Sequence, residues 1–141
     1  AVVGTGELET ETKALAKEYD LLNNVSFLGF MPNPLKLLCD SKVMIMTSRW
    51  EGTPMCALEA MALGVPIVST PVDGLKDLVT DGKNGFLSDD DEDLASQISR
   101  IIKDPALHDR YSDYIKTQAV EINNIERYKK TIINVYRGCY V

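Results

Sequence analysis

The sequence is poor in the residues that usually announce a metal, redox or nucleic-acid site. Among 141 residues there are one histidine, one tryptophan and three cysteines. A lone His108 rules out a site built on paired imidazoles, and the wide spacing of Cys39, Cys56 and Cys139 suits neither a disulfide frame nor a thiolate cluster. These thiols lie in or beside apolar segments and read as buried or incidental, the usage of a reducing, cytoplasmic protein. No apolar run approaches the ~20 residues that cross a bilayer. Positive charge is also scarce: 15 Lys and Arg stand against 21 Asp and Glu, for a formal net charge of -6. Residues 88–93, SDDDED, concentrate that acidity and would repel a phosphate backbone, so nucleic acid is excluded as a partner. A single anionic ligand is not excluded where backbone amides converge on it. No signal peptide is recognisable, and the opening AVVGTG already reads as the middle of a fold, which leaves room for upstream residues.

What is present is alternation. Short apolar runs at residues 1–3, 25–28, 43–46, 66–69 and 86–87 predict strands. Between them, residues 7–20, 34–39, 54–63 and 74–80 carry helical patterns. The run 43–46 is apolar at every position and is expected to be covered on both faces, as in a parallel sheet. From Glu92 onward the pattern is helical, through Ile98, Ile101 and Ile102, then residues 107–115, then 125–136. Strand-helix alternation makes the class α/β, a Rossmann-like parallel sheet with helices on both faces. The whole chain reads as one domain, without repeats or a low-complexity linker.

Residues 48–64, SRWEGTPMCALEAMALG, join a strand to a helix through a loop that begins with a carboxylate and contains Gly52 and Pro54. Such loops lie beyond the carboxyl ends of the strands, where open α/β sheets bind ligands. Pro54 suits the first helical turn, where its missing N–H is no loss. The free amides near Thr53, Met55 and Cys56 would then form an anion site, with Gly52 allowing close approach and the helix dipole adding ~0.3 to 1 kcal/mol. Glu51 and Glu59 stand eight positions apart, about 12 Å along a fully helical path. That span is long for a glycosidase acid/base pair but fits two ends of one ligand, with a diphosphate between. Carboxylates suit both ends because each accepts hydrogen bonds from vicinal hydroxyls.

Glu51-Gly52-Thr53-Pro54, then Leu58-Glu59-Ala60-Met61-Ala62 and Gly64-Val65-Pro66-Ile67-Val68, resemble the E-x7-E signature of the retaining GT-B glycosyltransferases (glycosyl transferases group 1). Val25-Ser26-Phe27-Leu28-Gly29 and Asp81-Gly82-Lys83-Asn84-Gly85-Phe86-Leu87 belong to the same pattern, which covers nearly the whole chain. The resemblance implies the carboxy-terminal, nucleotide-sugar-binding domain of a GT-B fold, with its first strand-helix unit and the acceptor-binding amino-terminal domain absent. It implies transfer of a sugar from a nucleoside diphosphate donor to a glycan or lipid acceptor, with no metal or other cofactor. Glu51 would hold donor-sugar hydroxyls and stabilise charge at the reacting centre, and Glu59 the ribose. Backbone groups of Thr53, Pro54, Met55, Cys56, Ala57 and Leu58 would bind sugar and phosphates, and Phe30 and Met31 the base. Family members often carry Phe where Thr53 stands, which changes one contact beside the donor.

Several consequences are expected. The isolated chain would be inactive, since transfer draws on both halves of the cleft. A missing central strand would leave residues 1–3 and 43–46 as unpaired edges, which invites self-association. The full-length protein is expected in the cytoplasm, at the inner face of the plasma membrane as a peripheral protein. Two other readings remain open: a sugar-nucleotide 2-epimerase, and a non-catalytic domain that binds nucleotide or a partner. Among residues outside the motif, Gly4-Thr5-Gly6 is expected to be a turn and His108 a surface residue. Trp50 is read equally as a ligand platform or a cover for the core edge. The 89–93 run is read as a solvated helix start, and Tyr128, Ile132 and Tyr136 as packing on this same domain in preference to another.

Overall fold

Apolar triplets too short to stand alone become strands here because parallel neighbours and helices cover them. The computed structural model describes residues 1–122 and 124–138, and these fall into two compact units, 1–37 and 38–141. In the first, β1 (Val2–Val3) pairs in parallel with β2 (Phe27–Gly29), joined through α1 (Glu9–Glu18). Gly4-Thr5-Gly6 forms the expected turn. Gly4 takes a φ of +114°, its N–H donates to Gly29 O at 2.7 Å, and Gly6 O receives the amide of Glu9 at 3.2 Å. The chain crosses from the first unit to the second within a short helix, α2 (Leu35–Cys39).

In the second unit, β3 (Met44–Met46), β4 (Ile67–Ser69) and β5 (Gly85–Leu87) form a parallel sheet in the order β3-β4-β5. Met44 pairs with Ile67 and Ile67 with Gly85. No ladder among the described residues joins β1 or β2 to this sheet. α3 (Met55–Ala62) lays Ala57, Ala60 and Met61 on one sheet face, beside Met46, Ile67, and Leu75 of α4 (Asp73–Lys76). The other face, carrying Val68, is covered by Leu94 and Ile101 of α5 (Asp91–Lys103) and by Leu107 and Tyr111 of α6 (Pro105–Ile122). Ile115, further along α6, reaches the first cluster, so one helix closes both. This is the expected α/β arrangement with helices on both faces.

Helix ends follow local chemistry. α3 stops in a Schellman motif: Gly64 has a φ of +74° and donates to Met61 O at 3.0 Å, while Val65 donates to Ala60 O at 2.9 Å. The 89–93 run is a helix start as expected, with Asp90 accepting from the amides of Glu92 and Asp93, both at 2.9 Å. The three acids of the first turn face the positive end of the helix dipole. Asp104 caps α6 through the amide of Leu107 at 3.0 Å, with Pro105 at the first helical position.

Four expectations are corrected. β3 is not covered on both faces: Ile45 is 51% exposed, because the layer that buries Val68 does not extend over its neighbour at the sheet edge. Helix α7 (Ile125–Gly138) buries no residue, and Tyr128, Ile132 and Tyr136 stand exposed instead of packing on this domain. Of the two readings of the thiols, burial fails for Cys39 and Cys56, which are free and exposed, and the incidental one is left, while Cys139 lies outside the described residues. His108 is not a fully exposed surface residue but half-buried, its side chain 18% exposed with Nδ1 3.3 Å from Asp109 Oδ1.

Candidate functional site

The three parallel strands of the second unit end at Met46, Ser69 and Leu87, and the chain leaving them borders one cleft of 460 Å³. Thr47, Ser48, Arg49, Trp50 and Glu51 enter it from β3, Thr70 to Asp73 and Lys76 from β4 and α4, and Asp89 from beyond β5. This is the carboxyl end of a parallel sheet, the position at which α/β folds bind ligands.

Glu51 is half-buried, and its carboxylate is held. Ser48 Oγ donates to Glu51 Oε1 at 2.7 Å. The Ser48 carbonyl in turn accepts from Thr70 Oγ1 at 2.6 Å, and Thr70 N donates to Met46 O at 3.1 Å, extending the β3-β4 ladder. Below Glu51 the loop is packed against α4: a Cβ built on Gly74 would lie 1.6 Å from Gly52 O and 3.2 Å from Pro54 Cδ. Only glycine permits that approach.

Pro54 is buried and caps α3 from outside, with φ -71° and ψ 117°, one residue earlier than the first turn to which the sequence assigned it. Its extended ψ lets its carbonyl receive the amides of Ala57 at 3.1 Å and Leu58 at 3.3 Å. The amides of Met55 and Cys56 precede those bonds and have no backbone acceptor. Because the helix begins at Met55, the path from Glu51 to Glu59 is half loop and half helix, so the all-helical spacing does not describe it. Glu59 lies half-buried on α3.

The residues picked from the sequence therefore divide. Glu51 lines the cleft, while residues 52–58 form the adjoining loop and helix start and Glu59 the helix beyond, all outside the cleft lining. Cys56 joins the two glutamates electrostatically. The residue as a whole is exposed, but neighbouring atoms partly desolvate its sulfur and raise the thiol pKa; the Ala57 amide lowers it, the charge of Glu51 raises it, the Cys56 amide lowers it and the charge of Glu59 raises it. Trp50 is 81% exposed on the cleft and covers no core edge. Phe30, 76% exposed, and Met31, half-buried, follow β2 in the first unit.

Sequence reasoning missed Arg49 and Lys76, two cations in the same cleft as Glu51. Lys76 lies 3.1 Å from Asp73 Oδ1, an exposed pair that contributes little to stability. It also missed Ser48, Thr70 and Gly74, whose roles depend on contacts between β3 and β4 that no local pattern encodes. The three-residue spacing of Ser48 and Glu51 was the only available signal.

Compared with known proteins, residues 1–118 match the family model for Glycosyl transferases group 1. N-acetyl-alpha-D-glucosaminyl L-malate synthase of Bacillus anthracis is 30% identical over 141 residues, 99% of this chain and 36% of that protein. Poly(glycerol-phosphate) alpha-glucosyltransferase of Bacillus subtilis is 32% identical over 115 residues, covering 79% of this chain and 17% of its own. The crystal structure of Anabaena HepE in complex with UDP-glucose superposes with a TM-score of 0.83 at 26% identity, over 96% of this chain and 40% of that one. The chain thus spans well under two thirds of each.

Proposed function

Because the chain belongs to the Glycosyl transferases group 1 family, we propose that it is the donor-binding part of a retaining glycosyltransferase. The enzyme would move a hexosyl group from a nucleoside diphosphate sugar to a glycan or lipid-linked acceptor, in cell-surface polysaccharide or glycolipid synthesis. The observation that carries this reading is the held carboxylate of Glu51 in a cleft at the carboxyl ends of three parallel strands, beside the start of α3, where the amides of Met55 and Cys56 have no backbone acceptor.

Each part of the donor meets a matching group. The diphosphate takes the amides of Thr53, Met55 and Cys56 and the positive end of α3, an arrangement that needs no metal ion. Arg49 and Lys76 add the charge sign that it requires. Glu51 accepts from hydroxyls of the sugar and offsets the positive charge that develops at the anomeric carbon as the phosphate bond breaks. Glu59 takes the ribose. Two relatives carry "alpha" in their names, and transfer from an alpha-linked nucleotide sugar to an alpha-linked product is retention. The acceptor would be bound by parts of the protein beyond these residues, so residues 1–141 alone would bind donor without transferring it. No helix among the described residues is long and apolar enough to cross a membrane, and the protein would act in the cytoplasm, peripherally at the membrane where its acceptor is lipid-linked.

Calorimetry on the full-length protein with UDP, GDP and ADP, and with UDP-glucose, GDP-mannose and ADP-glucose, tests the reading. One nucleotide series should bind, and Glu59→Ala should weaken it about tenfold, the value of one charge-assisted hydrogen bond. Absence of binding by all six ligands would sink it.

A further inference from the structure

Glu51 cannot be fixed by its own loop alone. It lies in the segment between β3 and α3, with exposed Gly52 and Thr53 beyond it. Among the described residues its carboxylate has one hydrogen-bond partner, the hydroxyl of Ser48. That bond engages Oε1 and leaves Oε2 without a donor among the described residues. Ser48 is itself tied to the sheet, since its carbonyl receives the Thr70 hydroxyl at 2.6 Å across 22 residues of sequence and Thr70 N continues the ladder at Met46 O. A chain of three bonds thus runs from the β3-β4 ladder to one oxygen of Glu51 and ends at the cleft.

We propose that Ser48 is a positioning residue: anchored by Thr70, it fixes the rotation of the Glu51 carboxylate so that Oε2 alone is presented to the ligand in the cleft. The inference rests on the reading of Glu51 as the group that meets the donor sugar. It adds that the contact is made by a single oxygen in a set orientation and that β4 sets it. Holding a catalytic group within a narrow angular range is what separates turnover from binding, because misaimed groups weaken transition-state contacts more than ground-state ones. Removal of Ser48 should therefore lower kcat and spare nucleotide affinity.

Ser48→Ala, Ser48→Thr and Thr70→Val are made in the full-length protein and studied in two ways. Crystal structures without ligand come first: wild type and Ser48→Thr should show one Glu51 side-chain conformation, and Ser48→Ala more than one or a different one. An unchanged Glu51 in Ser48→Ala overturns the proposal, whatever the ligand proves to be. The second arm uses UDP and UDP-glucose, with binding by calorimetry and sugar release or transfer by product formation. Expected are UDP affinity within twofold of wild type for all variants, a fall of about tenfold in kcat for Ser48→Ala, a smaller fall for Thr70→Val and recovery in Ser48→Thr. Equal losses of UDP affinity and kcat would indicate general loop damage and also overturn it. If wild type binds neither ligand but Glu51 still turns in Ser48→Ala, the UDP donor assignment fails and the positioning role stands.

Discussion

At Cys56, partial desolvation of the sulfur and the charges of Glu51 and Glu59 disfavour the thiolate, so at a given pH the thiol should react more slowly than an ordinary cysteine. The sign is testable. In Glu51→Gln one of the raising charges is gone, the thiolate appears at lower pH, and alkylation of Cys56 by iodoacetamide at pH 8.5 should become faster. Site-resolved mass spectrometry measures the rate, and an unchanged or slower rate would contradict the electrostatic contact between Glu51 and the start of α3. Asn84 offers a second residue-scale test. It is buried and closes the turn before β5 by accepting from Thr80 N at 2.6 Å and donating to Leu78 O at 2.8 Å. Asn84→Ala leaves both backbone groups without these bonds and should cost about 1 to 3 kcal/mol, read by urea denaturation.

Among the elements, the short α4 has the most consequence for the site, because Gly74 is where it meets the Glu51 loop. Gly74→Ala drives a methyl group into the Gly52 carbonyl, and backbone cannot yield as a flexible side chain does. The loop should move, with a stability loss of about 1 to 3 kcal/mol and at least a tenfold loss of nucleotide-sugar affinity. Affinity within twofold of wild type would show that the loop position is immaterial to binding. None of this was readable from residues 73–76, since the clash partner lies more than twenty positions upstream. What was readable followed local rules: the helix over residues 54–63 survives as Met55–Ala62, Gly64 ends it, and Asp90 starts the next. Reading failed where burial depends on neighbours in space. Ile45 looks like a core strand residue, but it sits on the edge strand β3 and stays half exposed. The pattern of Tyr128, Ile132 and Tyr136 gave a helix correctly, yet an amphipathic pattern states only that a face is apolar, not which surface covers it. Glu51 was found through its motif, whereas Arg49 and Lys76 have no motif and became visible only when the cleft was formed.

Across the whole molecule, buried side chains are unevenly shared. Within residues 1–37 only Ala16 is buried, whereas β4, α3 and α6 hold fully buried Ile67, Val68, Ala57 and Ile115. In residues 1–141 expressed alone, amide exchange should be fast over residues 1–37 and slow over β4 and the 107–115 part of α6. Uniform protection would contradict that difference. The proposed donor site joins the Glu51 cleft to the start of α3, and a crystal structure of the full-length protein with the nucleotide sugar that binds most tightly decides whether it holds one. Expected are the diphosphate on the amides of Thr53, Met55 and Cys56, a sugar hydroxyl on Glu51 and the ribose on Glu59. A nucleotide bound away from these residues would overturn the proposed function.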